Sequence, residues 1–145
     1  MDDSRPALSQ VEGRIVVTAA VIERDDRFLV TRRLRGTHLE GYWEFPGGKC
    51  DDGEPLTECL RREIREELDS DVDVGEEIYT ISHTYRDRIV ELHFFRCDLR
   101  GQVRAALDQE IQWVKRSDLH ELEFPPADEG LIRLLDQASK GTNER

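Results

Sequence analysis

The sequence predicts an α+β domain. Three features predict it: β-branched runs at Ile15–Ile22 and Phe28–Arg33, a leucine stripe at helical spacing from Leu56 to Leu68, and further strand-like runs that precede a last helical segment. At 145 residues the chain has the size of one domain able to bury its own core. Residues 1–13 carry no periodicity and read as a flexible arm, and residues 14–140 read as the single domain.

Each element has a local reason. Ile15 to Ile22 is almost continuously apolar, as a strand covered on both faces requires, and Arg24-Asp25-Asp26 supplies a turn into the return strand Phe28–Arg33. Tyr42–Phe45 reads as a short strand stopped by Pro46-Gly47-Gly48, and Lys49–Glu54 as a charged, glycine-bearing loop. Pro55 suits a first helical turn, and Leu56, Leu60, Ile64 and Leu68 then recur every fourth residue. Val72–Ser82, Ile89–Leu99 and Ile111–Val114 read as strands. Ser117 is placed to cap a brief helical turn, and a last helix from Pro126 to Ala138 presents Leu131, Leu134 and Leu135 on one face.

Composition narrows the function. Acids outnumber bases by 32 to 21, and the formal charge of −11 repels a phosphate backbone, which argues against general nucleic-acid binding. A small polyanionic substrate meets the same repulsion unless carboxylates hold divalent cations that invert the local field. No apolar run is long enough to span a bilayer, and the acidic start Met1-Asp2-Asp3-Ser4 lacks the plan of a secretory signal, so the cytoplasm is the expected compartment. Cys50, Cys59 and Cys97 form no CxxC pair and read as reduced thiols. His38, His83, His93 and His120 are scattered without ligand spacing.

The informative segment is the carboxylate helix. At ~100° per residue with Leu56 at zero, the apolar stripe runs from about 0° to 120°; Glu67 then falls near 20°, Glu63 near 340° and Glu66 near 280°, with Arg62 near 240°. A helix charged only for solubility sets its acids opposite its leucines. Here Glu63 and Glu67 turn toward the protein body, where an ionised carboxylate needs cationic company. Three acids at i, i+3 and i+4 converge on a patch suited to a hard cation with oxygen ligands. Gly47 and Gly48 let backbone approach a ligand closely just before it.

Gly48, Glu54 and Arg62-Glu63-Ile64-Arg65-Glu66-Glu67 reproduce the pattern G-x5-E-x7-R-E-U-x-E-E, and in this the chain resembles the Nudix superfamily. The pattern departs at its end, where Asp69 and Ser70 replace a glycine and an apolar residue; Asp69 can take the left-handed conformation that glycine supplies. Thr31-Arg32-Arg33, Trp43-Glu44-Phe45-Pro46-Gly47-Gly48-Lys49, Asp87-Arg88 and Phe124-Pro125-Pro126-Ala127 look like MutT-type segments in the same order, covering about residues 14 to 137. The resemblance implies a mixed, curved sheet between helices. It also implies Mg2+, or Mn2+ in its place, held by Glu63, Glu66 and Glu67 with the Gly47 carbonyl. Glu63 is favoured as the group that activates water, and Arg62 pairs with Glu54 to hold the loop. A further metal-binding acid is expected before the final strand, with Glu110 the choice and Asp108 the runner-up.

The implied reaction is pyrophosphohydrolysis of a nucleoside triphosphate to monophosphate and pyrophosphate, a nucleotide-pool task for a monomer or homodimer. Arg33, Lys49 and Arg88 are candidates for phosphate or sugar contacts. Phe45 and Phe124 either line a slot for a base or belong to the core. Asp128 either starts a helix or reads a base offering donors, which leaves cytidine triphosphates and 8-oxo-dGTP both open. Other nucleoside diphosphate derivatives (a nucleotide sugar, a dinucleoside polyphosphate, a capped RNA end) keep the same chemistry, and a silent nucleotide sensor would keep only the fold.

Overall fold

The computed structural model describes residues 14–143, with side chains to residue 137, so the expected N-terminal arm lies outside the described residues. In chain order the elements are β1 (Arg14–Arg24), β2 (Arg27–Arg32), β3 (Trp43–Glu44), β4 (Gly47–Lys49), α1 (Leu56–Leu68), β5 (Asp71–Tyr85), β6 (Arg88–Arg100) and β7 (Ile111–Lys115). Short 3-10 turns at Arg116–Glu121 and Pro126–Asp128 lead into α2 (Glu129–Asn143). The sheet is mixed, with order β3-β2-β1-β6-β5; β4 also pairs with β1, and β7 with β2.

β1 is the hinge of this architecture. It runs parallel to β6 from Arg14↔Ile89 to Ile22↔Cys97, and it meets β2 only at Glu23↔Phe28 and Arg24↔Arg27. Asp25 and Asp26 both take positive φ (54° and 61°), the pairing that matches a two-residue turn to strand twist. Alternation sends successive β1 residues to opposite faces. Ala19 and Val21 join Phe28, Val30, Trp43, Phe45, Phe94, Leu131 and Leu135 beneath α2, whereas Ala20 and Ile22 join Leu29, Leu60, Ile64, Leu68, Phe95 and Cys97 beneath α1. Both faces of the strand are therefore core, as its unbroken apolar run requires, and the sheet lies between the two helices. Among the described residues no helix is long and apolar enough to cross a membrane.

Four local expectations are corrected. Gly47–Lys49 is a strand rather than a strand stop and loop, paired with β1 at Val17↔Lys49, Thr18↔Gly48 and Ala19↔Gly47. A Cβ on Gly47 would overlap the Thr18 carbonyl, so the glycine exists for close approach and its β-breaking reputation misleads. Ser117 caps nothing: the 3-10 turn begins at Arg116 behind Lys115, which makes no side-chain cap. Leu134 stays exposed while Leu131 and Leu135 are buried. Cys50 and Cys59 are joined in a disulfide, because the signature loop folds back on α1 and brings their Cα atoms to 5.3 Å, a proximity their spacing in sequence does not reveal. Only Cys97 is free among the described residues.

Candidate active site

The site is built around the last two turns of α1. Leu60, Ile64 and Leu68 are fully buried and fix the helix's rotation, which carries Glu63 and Glu67 against the β4 backbone. A Cβ on Gly48 would overlap the Glu63 carboxylate, and the Gly47 N–H donates to Glu67 Oε1 at 3.4 Å. The helix stops at Asp69, whose left-handed backbone (φ 52°, ψ 45°) returns its N–H to the Arg65 carbonyl.

Arg62 organises the acids. Its Nε and Nη2 donate to the two Glu54 oxygens at 2.8 and 2.9 Å, its Nη1 donates to Glu63 at 3.0 Å and Glu66 at 3.3 Å, and Nη2 also reaches the Lys49 carbonyl at 3.2 Å. The Asp51 N–H donates to Glu54 Oε1 at 2.9 Å, so loop, strand and helix are clamped together through one guanidinium. These bonds, led by the one from Arg62, hold the Glu54 carboxyl down at about 2. The same loop is pinned again by the disulfide. Although the two cysteine sulfurs and a Glu54 oxygen lie within 4.8 Å of one another, a disulfide sulfur offers no thiolate to a metal.

The remaining acids are short of positive charge. Burial is the main cause that pushes Glu67 up to about 8, helped by the charges of Glu44 and Glu63. Burial likewise raises Glu63, against the pull of Arg62. Glu66 is 58% exposed and stands at the rim beyond Arg62. Oxygen donors from Glu63, Glu66, Glu67 and the Gly47 carbonyl make a hard-cation set, and a divalent ion there would relieve the crowding that raises Glu67, so the residues present fit such an ion.

Beside the acids opens a cavity of about 750 Å³, lined by Arg33, Lys49, Arg88, Glu44, Phe45 and Asp128 together with Gly47, Gly48 and Glu67. The structure thus brings the sequence-expected Arg33, Lys49 and Arg88 to one chamber. Arg33 is held by Glu44 at 2.9 Å and by the His38 carbonyl at 2.5 Å, and Arg88 stands on the β5–β6 turn. Asp128 is 4% exposed and its carboxylate has no partner among the described residues. Burial, with Glu44 nearby, pushes it up to about 7. Phe45 faces the cavity; Phe124 does not line it, and stacks on Phe45 from behind at 5.4 Å and 16°.

Glu110 is not brought to the cluster. Its carboxylate lies against Arg32 at 3.2 Å and takes the Gln112 amide at 3.4 Å, and it lines neither this cavity nor the smaller one beside Glu67. Asp108 lines neither cavity, and its φ of 59° belongs to the loop's tight turn. Physically, Gln109 takes the inward position: its amide donates to the Glu67 carbonyl at 3.0 Å and accepts from the Leu107 N–H at 3.0 Å, which turns its acidic neighbours outward. Sequence reasoning passed over Glu44. Its signal was an acid set between Trp43 and Phe45, two aromatics committed to the core.

The NUDIX domain family matches residues 17–134. This chain belongs to that family. The Nudix domain is 34% identical over 119 residues to the CTP pyrophosphohydrolase of Escherichia coli strain K12, covering 81% of this chain and 88% of the relative. It is 33% identical over 132 residues to the 8-oxo-dGTP diphosphatase of Haemophilus influenzae, covering 88% and 96%. Among solved structures, the Escherichia coli ORF135 protein superposes with a TM-score of 0.75 at 33% identity over 91% of this chain and 93% of that one. The MutT protein of Methanosarcina mazei gives a TM-score of 0.77 over 88% and 96%, and at 23% identity it speaks for the fold alone. The Nudix domain described here is thus a hydrolase of the MutT type, in a family that generally depends on divalent metal.

Proposed function

We propose that the chain is a Mg2+-dependent pyrophosphohydrolase, served also by Mn2+, that converts a nucleoside triphosphate to its monophosphate and pyrophosphate. The observation that carries this is the crowded carboxylate of Glu67, with Glu63 beside it on the helix, opening on a cavity that is also lined by three basic side chains and the buried acid Asp128. Glu63, Glu66, Glu67 and the Gly47 carbonyl would hold the ion, which when bound neutralises phosphate charge and acidifies water.

The chain's own residues divide the remaining work. Arg33, Lys49 and Arg88 bind the phosphates and sugar. Arg62, anchored by Glu54, fixes the carboxylates' spacing. Glu63 takes the proton as water attacks phosphorus; the new P–O bond forms while the bridging P–O bond breaks and its electron pair leaves with the departing group. Phe45 supports the base, with Phe124 backing it, and Asp128 reads the base edge. Because burial pushes Asp128 up to about 7, it is present near neutrality both as an acceptor-only carboxylate and as an acid with one donor. The first form suits the exocyclic amine of cytosine, and either form has a partner on oxidised guanine.

The test is product analysis with Mg2+ and a panel of 8-oxo-dGTP, dGTP, CTP, dCTP, a 5-substituted dCTP, ADP-ribose and a diadenosine polyphosphate, with Glu67→Gln as control. One triphosphate is expected to yield monophosphate and pyrophosphate, and the control to yield neither. Turnover of ADP-ribose or the dinucleotide alone would move the substrate to another nucleoside diphosphate derivative. Binding without turnover would make the domain a sensor.

A further inference from the structure

The loop before β7 contributes no carboxylate to the metal-binding patch. Leu107, half exposed, stands at its lip with Gln109 behind it, and Glu110 is engaged with Arg32 on the surface. A smaller cavity of about 140 Å³ lies there, lined by Arg33, Leu34, Leu107, Gln109, Glu67 and one further acid, Glu44. Glu44, Glu67 and Arg33 line both cavities and so form the wall between them.

Glu44 reaches this wall from the other side of the sheet's end. Pairing of Thr31 with Glu44 sets β3 beside β2, and the chain then runs through Phe45 and Pro46 to Gly47, so one short segment delivers both the Glu44 carboxylate and the Gly47 carbonyl. Of the two Glu44 oxygens, Oε1 accepts from Arg33 at 2.9 Å and Oε2 has no partner among the described residues. A hard divalent ion takes six or more oxygens, and the helix glutamates with one carbonyl leave room for another anionic donor.

We propose that Glu44 supplies the outlying acid of the divalent-metal site, in the place left without a carboxylate by Leu107 and Gln109. This rests on the metal-dependent reading above and concerns which side chains hold the ion. Arg33 then serves as the counter-ion of Glu44 only while no ion is bound, a place the divalent ion takes over when it binds.

The experiment is Mn2+ binding to the full chain without nucleotide, read as loss of the free-ion electron paramagnetic resonance signal, for wild type, Glu44→Gln, Glu44→Asp, Glu110→Gln, Arg33→Gln and Glu67→Gln. Circular dichroism of each variant checks folding. Glu44→Gln is expected to weaken binding about tenfold or more, Glu44→Asp to recover part of it, and Glu110→Gln and Arg33→Gln to stay within about twofold of wild type. Wild-type affinity in Glu44→Gln, or a loss carried by Glu110→Gln, overturns the assignment. An equal loss in Arg33→Gln also overturns it, since Glu44 would then act only through Arg33. If Glu67→Gln binds like wild type, the metal-dependent reading itself fails; if Glu67→Gln loses affinity while Glu44→Gln does not, only this inference fails.

Discussion

Removing the charge of Glu67 should stabilise the metal-free protein while abolishing its activity. In the unfolded chain this carboxyl titrates near its ordinary value of 4.5, and in the folded protein it is pushed up to about 8. The folded state therefore binds more protons than the unfolded state throughout that window, and stability falls as pH rises from about 4.5 toward 8. The full shift corresponds to at most about 4 kcal/mol at pH 8, and roughly 2 kcal/mol of it develops between pH 6 and pH 8. Water at the cavity's mouth reduces both figures. Glu67→Gln keeps the shape and the Gly47 N–H contact and removes the titration. Urea unfolding in the presence of a chelator, at pH 6 and pH 8, measures the difference. Wild type should be the less stable at pH 8 and the variant should show a shallower slope, with a remainder from Asp128, which is pushed up to about 7. Mg2+ should restore wild type at pH 8 and do little for the variant. A wild type equally stable at both pH values, or a variant less stable than wild type at pH 8, would refute the claim that Glu67 is a charge held against its own preference.

Three further outcomes follow from contacts described above. Gly48→Ala places a methyl group on the Glu63 carboxylate, and steady-state kinetics should show a loss on the order of 100-fold with the thermal midpoint little changed. Glu54→Gln breaks the two-pronged clamp on Arg62, and kcat should fall roughly 10- to 100-fold, with recovery of at least part of the loss in Glu54→Asp. Thiol counting in denaturant should find one reactive cysteine before reduction and three after; the reduced protein should unfold at lower urea, by about 2 to 3 kcal/mol, and an unchanged midpoint would show that the loop is already fixed by Arg62.

Much of this was legible in the sequence because it depends on periodicity. The every-fourth-residue leucines of α1 determine which way Glu63 and Glu67 point, and the unbroken apolar run of β1 announces a strand with core on both faces. What stayed hidden depends on long-range approach. Gly47 and Gly48 look like a strand stop until β1 lies against them, and Cys50 and Cys59 look unrelated until the loop folds onto the helix. Glu110 lies in the stretch before the final strand where an acid is expected, though its spacing to Trp113 fits only with a shift, and the side chain that turns inward is Gln109, a choice made by hydrogen bonds to the Glu67 and Leu107 backbone. Glu44 could not be singled out by charge alone in a chain with 32 acids.

The two-faced strand β1 also separates duties across the molecule. Ala20 and Ile22 support the helix that carries Glu63 and Glu67, while Ala19 and Val21 support the layer from which Phe45 and Asp128 line the cavity. His38 and Leu39 in the connection from β2 to β3, and Tyr85 to Arg88 at the tip of the β5–β6 hairpin, edge the cavity without belonging to either buried cluster. Substrate range can therefore drift by exchange at those edges while the carboxylates keep their spacing, and a search for altered specificity in this scaffold should begin at residues 38–39 and 85–88 and leave the strand alone.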